Sequence, residues 1–142
     1  MDPVYAFEKL DVYHAANQLA RVVGGLCASL PGKKDRVARK MIRANVVLGM
    51  TIAGGNAERA PDEFMSLDER EEYLRVAQSS VKTLRRIFLD LRRDRLGSRS
   101  HITAGLELLE RIEAGLNENV AQLKPGFDPV AYAEMQRRRC ES

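Results

Sequence analysis

The chain has 142 residues, a formal net charge of +3, 6% aromatic residues and no tryptophan. That length fits one domain that buries a core of its own, and the core must be aliphatic. Two cysteines, Cys27 in an apolar stripe and Cys140 in a charged tail, argue against a disulfide scaffold, and the lack of a run of about 18 apolar residues argues against a membrane span.

Met1-Asp2-Pro3 opens without the basic-then-apolar pattern of a leader, so the expected location is cytoplasmic. The charge is modest in sum but unevenly placed. Residues 33–43 hold six bases and one acid, and residues 82–95 hold six bases and two acids. Residues 58–75 reverse this, with seven acids and three arginines. One basic and one acidic surface are expected.

Taken in order, residues 1–9 are short and irregular, with Phe7 as an anchor. Val12, Ala15, Ala16, Leu19, Val22, Val23, Leu26 and Leu30 recur at helical spacing and predict a first helix over 10–30. Gly24-Gly25 inside it costs roughly 1 kcal/mol per glycine relative to alanine, which a close backbone approach would justify. Leu30-Pro31-Gly32 ends this helix.

The second helix, predicted over 35–54 and capped near Asp35, organises the chain. Arg36, Arg39, Lys40 and Arg43 stand at i, i+3, i+4 and i+7 and share a face. From Ala44 to Ala53 the same helix is apolar or small on nearly every side, which predicts burial all round. Gly54-Gly55-Asn56-Ala57 reads as its stop, since it lacks a phosphate-loop pattern.

The third helix is expected over 67–96. Ser66-Leu67-Asp68-Glu69 has capping-box spacing, although Pro61 offers an earlier start. Its core stripe is Tyr73, Val76, Ala77, Ser80, Val81, Leu84, Ile87, Phe88 and Leu91, and Leu96-Gly97 closes it. The fourth, over 100–123 with Ser98 or Ser100 as cap, has the cleanest stripe: Ile102, Leu106, Leu109, Ile112, Leu116, Val120 and Leu123. The expected fold is an all-α, antiparallel up-and-down four-helix bundle over 1–123. Residues 124–142 form a tail, in which 130–139 has the makings of a short helix.

Three segments resemble a known family. Phe7-Glu8-Lys9-Leu10-Asp11-Val12-Tyr13 is similar to the F-x-x-L-x-V-Y opening of the 23S ribosomal RNA intervening-sequence proteins, also called four-helix bundle proteins. Leu30-Pro31, Arg43-Ala44 and Ile52-Ala53-x-Gly55 resemble that family's L-P, R-A-A and N-I-A-E-G region. Tyr73-Leu74-Arg75-Val76-Ala77-Gln78-Ser79-Ser80-Val81 resembles its F-L-x-x-A-x-x-S-L segment. The likeness covers about residues 7–123. Thr51 and Gly54 stand where the family has Asn and Glu, and Thr83 where it has an acid, so the family's polar network is altered here. The accessory proteins of diversity-generating retroelements resemble this chain in helical layout and basic character. The resemblance implies a ring-like homopentamer that binds nucleic acid, and in one branch a reverse transcriptase partner.

The basic stripe Lys33, Arg36, Arg39, Lys40 and Arg43 is the main candidate site. A second cluster on helix three, Lys82, Arg85, Arg86, Arg92 and Arg93, has few acids within a helical turn. The plainer reading is a solvated face paired with acids of 58–75 or with Glu107, Glu110 and Glu113. No aromatic residues interleave with the cations, so contacts to nucleic acid would go to phosphate rather than to stacked bases. The alternative function is an adaptor whose basic face docks an acidic protein such as a reverse transcriptase. Arg137-Arg138-Arg139 adds only nonspecific attraction. His14 and His101 stand outside any metal-ligand spacing, Cys27 reads as a small core residue, and no catalytic motif stands out. No enzyme, metal or cofactor is expected. The surplus of apolar faces on residues 44–53 predicts a homo-oligomer.

Overall fold

The structure, a computed structural model, describes residues 11–56, 67–122 and 137–138. Four helices carry it: α1, Asp11–Ser29; α2, Asp35–Asn56; α3, Leu67–Arg93; and α4, Arg99–Gln122. A single 3-10 turn, Gly32–Lys34, leads into α2. There is no strand among the described residues. The helices pack around a square: α1 on α2, α2 on α3, α3 on α4 and α4 back on α1. Cross-helix contacts fix opposite directions. Gln78 bonds Asn117 and Arg85 pairs with Glu113 between α3 and α4, while Gly25 meets His101 and Gly115 meets Val12 between α1 and α4. The result is the expected antiparallel four-helix bundle.

The core is aliphatic apart from Phe88. Leu19 and Leu26 of α1, Met41, Leu48 and Ile52 of α2, Leu74 and Leu84 of α3, and Leu109, Ile112 and Leu116 of α4 are almost wholly enclosed. Each such side chain contributes about 1.5–3 kcal/mol relative to exposure. Glycine lets the layers close. A Cβ on Gly105 would lie 2.3 Å from the Phe88 ring, so α4 can approach α3 only because none is there. Gly25 works likewise, but what it admits is the His101 ring rather than a backbone, and Gly24 has no neighbour within 4 Å. The expected backbone approach at this pair is therefore corrected to a side-chain approach at one of the two.

Helix ends differ from the sequence pattern in instructive ways. Asp35 is not a cap; it has helical angles, and its N–H donates to the Gly32 carbonyl. The chain is already turning in the 3-10 segment, so Asp35 lies in the first turn of α2, where its charge suits the positive helix end. Gly54 and Gly55 do not stop α2, which runs to Asn56. A Cβ on Gly54 would press on the Tyr73 ring at 3.0 Å, so this glycine serves packing. The start of α3 at Leu67 agrees with the capping-box reading, and a turn at Pro61 lies outside the described residues.

α3 ends at Arg93, not near Leu96. Leu96 N–H donates to the Leu91 carbonyl at 2.9 Å and Arg95 N–H to Arg92 at 3.3 Å. This is the paired bonding of a Schellman motif. Its left-handed residue is Arg95, at φ 56°, where glycine is usual because a Cβ there costs roughly 1–2 kcal/mol. Gly97, at φ 78°, makes the next bend. A Cβ on it would meet Leu26 at 2.7 Å.

Ser98 caps α4. Its hydroxyl faces the His101 N–H at 3.5 Å and the His101 Nδ1 at 2.7 Å, and its own N–H donates to the Ser29 hydroxyl at 2.8 Å. That last bond ties the end of α1 to the α3–α4 turn. Ser98→Ala keeps the backbone bond and loses the cap; we expect it to lower stability by about 1 kcal/mol, read from the urea midpoint at unchanged slope.

Three stripe assignments are corrected. Tyr73 and Val76 are exposed, at 39% and 41%, while Leu74 takes the core position. The second half of α2 is not buried all round: Ile42, Val46 and Met50 are 48%, 53% and 68% exposed. Met41, Leu48 and Ile52 face the core, and four-helix packing can cover only that side and its flanks. Thr51 turns its hydroxyl onto its own helix, donating to the Val47 carbonyl at 2.7 Å. Among the described residues its bonds all lie within α2, the second going to the Leu48 carbonyl at 3.1 Å.

Candidate polyanion-binding surface

The anchors of α2 decide where its cations point. Val37, Met41, Ala44 and Leu48 pack against the core cluster. Residues 36, 39, 40 and 43 fall between these anchors and are left outside. Arg36, Arg39, Lys40 and Arg43 are all exposed and, among the described residues, they alone line one surface concavity of about 500 Å³. Lys33, on the 3-10 turn just before α2, is exposed as well. None of the five is ion-paired with a described carboxylate. The plainer expectation of pairing with Glu107, Glu110 or Glu113 does not hold for this stripe, because those glutamates belong to α4, diagonally across the square. Residues 57–66, which carry part of the acidic segment, lie outside the described residues.

Like charges at i, i+3 and i, i+4 destabilise a helix by about 0.2–0.5 kcal/mol per pair. Arg36–Lys40 and Arg39–Arg43 stand at i, i+4 in the amino-terminal half of α2, where the helix dipole is also positive. The field of the stripe therefore adds to that of the helix. A bound polyanion would relieve both.

The helix-three candidates do not form one patch. Arg85 is half-buried and pairs with Glu113 of α4. Arg93 reaches Asp90 at 3.5 Å and Asp94 at 3.1 Å, and these carboxylates hold its guanidinium more firmly protonated. The expectation of few neighbouring acids is thus corrected for Arg93. Lys82 and Arg86 are exposed on the outer face of α3. Arg92 belongs elsewhere: it lines a cavity at the α3–α4 turn with Arg95 and Arg99, two arginines the spacing argument missed because the turn, not a helix face, assembles them. Lys40 and Arg93 line a shared groove between α2 and α3, with Asp90 and Asp94 among them. Those carboxylates separate the two basic groups, and the α2 stripe is the coherent one.

Beside the stripe, Ile42, Val46 and Met50 continue along the outer side of α2 at i, i+4 and i+8, and Gly49 has no neighbour within 4 Å. This apolar ridge is open to solvent in the single chain.

Cys27 is half-buried, its thiol donating to the Ala38 carbonyl at 3.7 Å, and burial raises its pKa. It is therefore a poor nucleophile. His14 makes an edge contact with Tyr13, and His101 belongs to the α4 cap. No group of three or more His, Cys, Asp or Glu residues is placed to hold a metal among the described residues, and no described helix is long and apolar enough to cross a membrane. Cys140 and most of the tail lie outside the described residues; Arg137 and Arg138 are exposed.

The class defined by the fold is the antiparallel four-helix bundle. No protein-family model matches the chain, and no curated protein shows significant similarity to it.

Proposed function

We propose that this protein is a non-catalytic nucleic-acid-binding member of the four-helix bundle family typified by the 23S ribosomal RNA intervening-sequence proteins. It works as a ring-like homopentamer and holds RNA, or an RNA–DNA hybrid, by its phosphates. The observation that carries this reading is the concavity lined, among the described residues, by Arg36, Arg39, Lys40 and Arg43 alone, without a described counter-charge. Guanidinium forks suit phosphate oxygens, and no described aromatic side chain lines that concavity for base stacking. In a closed ring the stripe recurs in every subunit, so a chain of +3 presents a dense local field. The exposed ridge Ile42, Val46 and Met50 is the surface such a ring would bury.

The test is fluorescence anisotropy with a labelled single-stranded RNA across a salt series. The affinity of the parent should fall with salt at a log–log slope of about −0.7 per phosphate neutralised. Arg39→Glu with Arg43→Glu should abolish binding, with helicity and assembly mass unchanged, because exposed changes usually alter stability within about ±0.5 kcal/mol. RNA binding equal to the parent would sink the assignment of the stripe. Loss of assembly instead would make these arginines interface partners. An acidic protein, such as a reverse transcriptase, that stays bound in excess RNA would favour the adaptor role.

A further inference from the structure

The turn between α3 and α4 carries a second basic feature that the α2 stripe does not explain. Arg92, Arg95 and Arg99 line one cavity of about 490 Å³, with Leu91, Leu96 and Ile102 as its apolar part. No described acidic residue lines it, and none of the three arginines is ion-paired with a described carboxylate. The nearest acids in sequence, Asp90 and Asp94, are both engaged by Arg93. All three are exposed at this opening, and like charges gathered there repel one another unless an anion sits among them.

The backbone adds an independent observation. Arg95 occupies the left-handed position of the Schellman motif, the place in a helix ending where glycine fits without strain. An arginine there works against the fold, and this residue is one of those that line the cavity. Strained non-glycine positions of this kind cluster at ligand sites.

We propose that this cavity is a binding site for a terminal phosphate group on an organic body. A phosphomonoester carries about −1.5 to −2 charges at neutral pH, against one for an internal phosphodiester, and so matches three converging cations better. The guanidiniums take the phosphate oxygens in paired hydrogen bonds. The leucine and isoleucine side chains take the apolar part of the group that bears it. A free nucleotide and the 5′ end of a strand share this chemistry.

The experiment is isothermal titration of the full chain with inorganic phosphate, a nucleoside 5′-monophosphate, a short oligonucleotide with a 5′-phosphate, and the same oligonucleotide with a 5′-hydroxyl. The phosphorylated oligonucleotide should bind about tenfold more tightly than its hydroxyl twin, a difference of about 1.4 kcal/mol. Equal affinity of the mononucleotide and the phosphorylated strand assigns the site to small phosphates; a clear preference for the strand assigns it to strand ends. Arg95→Gly should lose that preference and at the same time raise the urea midpoint, since glycine relieves the left-handed strain. A merely structural arginine would not give the two effects together. Arg99→Gln, off the strained position, should weaken phosphate binding without the gain in stability. Arg39→Glu with Arg43→Glu should leave the 5′-phosphate preference in place, which separates this site from the α2 stripe. The proposal is overturned if the parent shows no preference for the 5′-phosphate, or if Arg95→Gly and Arg99→Gln both retain it.

Discussion

Phe88→Ala is expected to lower the stability of this bundle by about 3–5 kcal/mol, the largest loss of any single change considered. Phe88 is fully enclosed, and its ring lies where a Gly105 side chain would start: the position of a Cβ is 2.3 Å from Cε2 and 2.9 Å from Cδ2. Removing the ring leaves a cavity beside a residue that has no side chain to fill it. Gly105→Ala fails from the other direction, because the added methyl forces the ring or α4 to move; overpacking of this sort costs about 1–3 kcal/mol. The two changes share one space, so Phe88→Leu with Gly105→Ala should be less damaging than the sum of its parts. Residues in contact couple by about 0.5–3 kcal/mol. Urea denaturation of the four proteins of the cycle measures this, and strict additivity would mean that the ring and the glycine do not face one another.

If the proposed ring forms, Val46→Glu with Met50→Glu is expected to reduce it to a folded monomer. These two side chains are the most exposed large apolar ones among the described residues, at 53% and 68%, and lie one turn apart beside Ile42. Their replacement leaves the core of Met41, Leu48 and Ile52 untouched, so helicity should hold. In a closed interface the same glutamates would be buried facing apolar surface, at a penalty of several kcal/mol per charge. Light scattering at micromolar concentration reads the outcome. A parent already monomeric would end the ring reading, and an oligomer unaffected by the double change would place its interface elsewhere.

The helices were legible in the sequence because their anchors keep helical period: on α4, Ile102, Leu109, Ile112, Leu116 and Val120 of its stripe are buried, and Leu106 packs half-buried against them. What misled was local chemistry read as punctuation. Gly54-Gly55 resembles a stop, yet Gly54 is small in order to admit Tyr73. Leu96-Gly97 resembles the end of α3, yet Arg95 already holds the left-handed position two residues earlier. On α2, apolar residues on every side signified burial within the chain, whereas a square of four helices has room for one face only. The α2 stripe was legible from its spacing. The Arg92, Arg95 and Arg99 cavity was not, since a non-helical turn brings those residues together. Arg85 was misjudged for a related reason, since the acid that occupies it lies on another helix, 28 residues on; for Arg93 the acids, Asp90 and Asp94, stood within one turn in the sequence and were discounted.

The square of helices also has a kinetic side. Three of its seams join helices that follow one another in the chain. The fourth, where Val12 of α1 lies against Gly115 of α4, closes a loop of about 100 residues. Loop entropy grows only with the logarithm of length, but such pairings are still the slow ones in a helical protein. The α1–α4 seam is then the latch of the fold, reached after the local hairpins have formed. Ser29 and Ser98 bolt it at the far end, beside the arginine cavity. A ligand in that cavity would bind the latched chain better than the open one, and so stabilise the closed bundle.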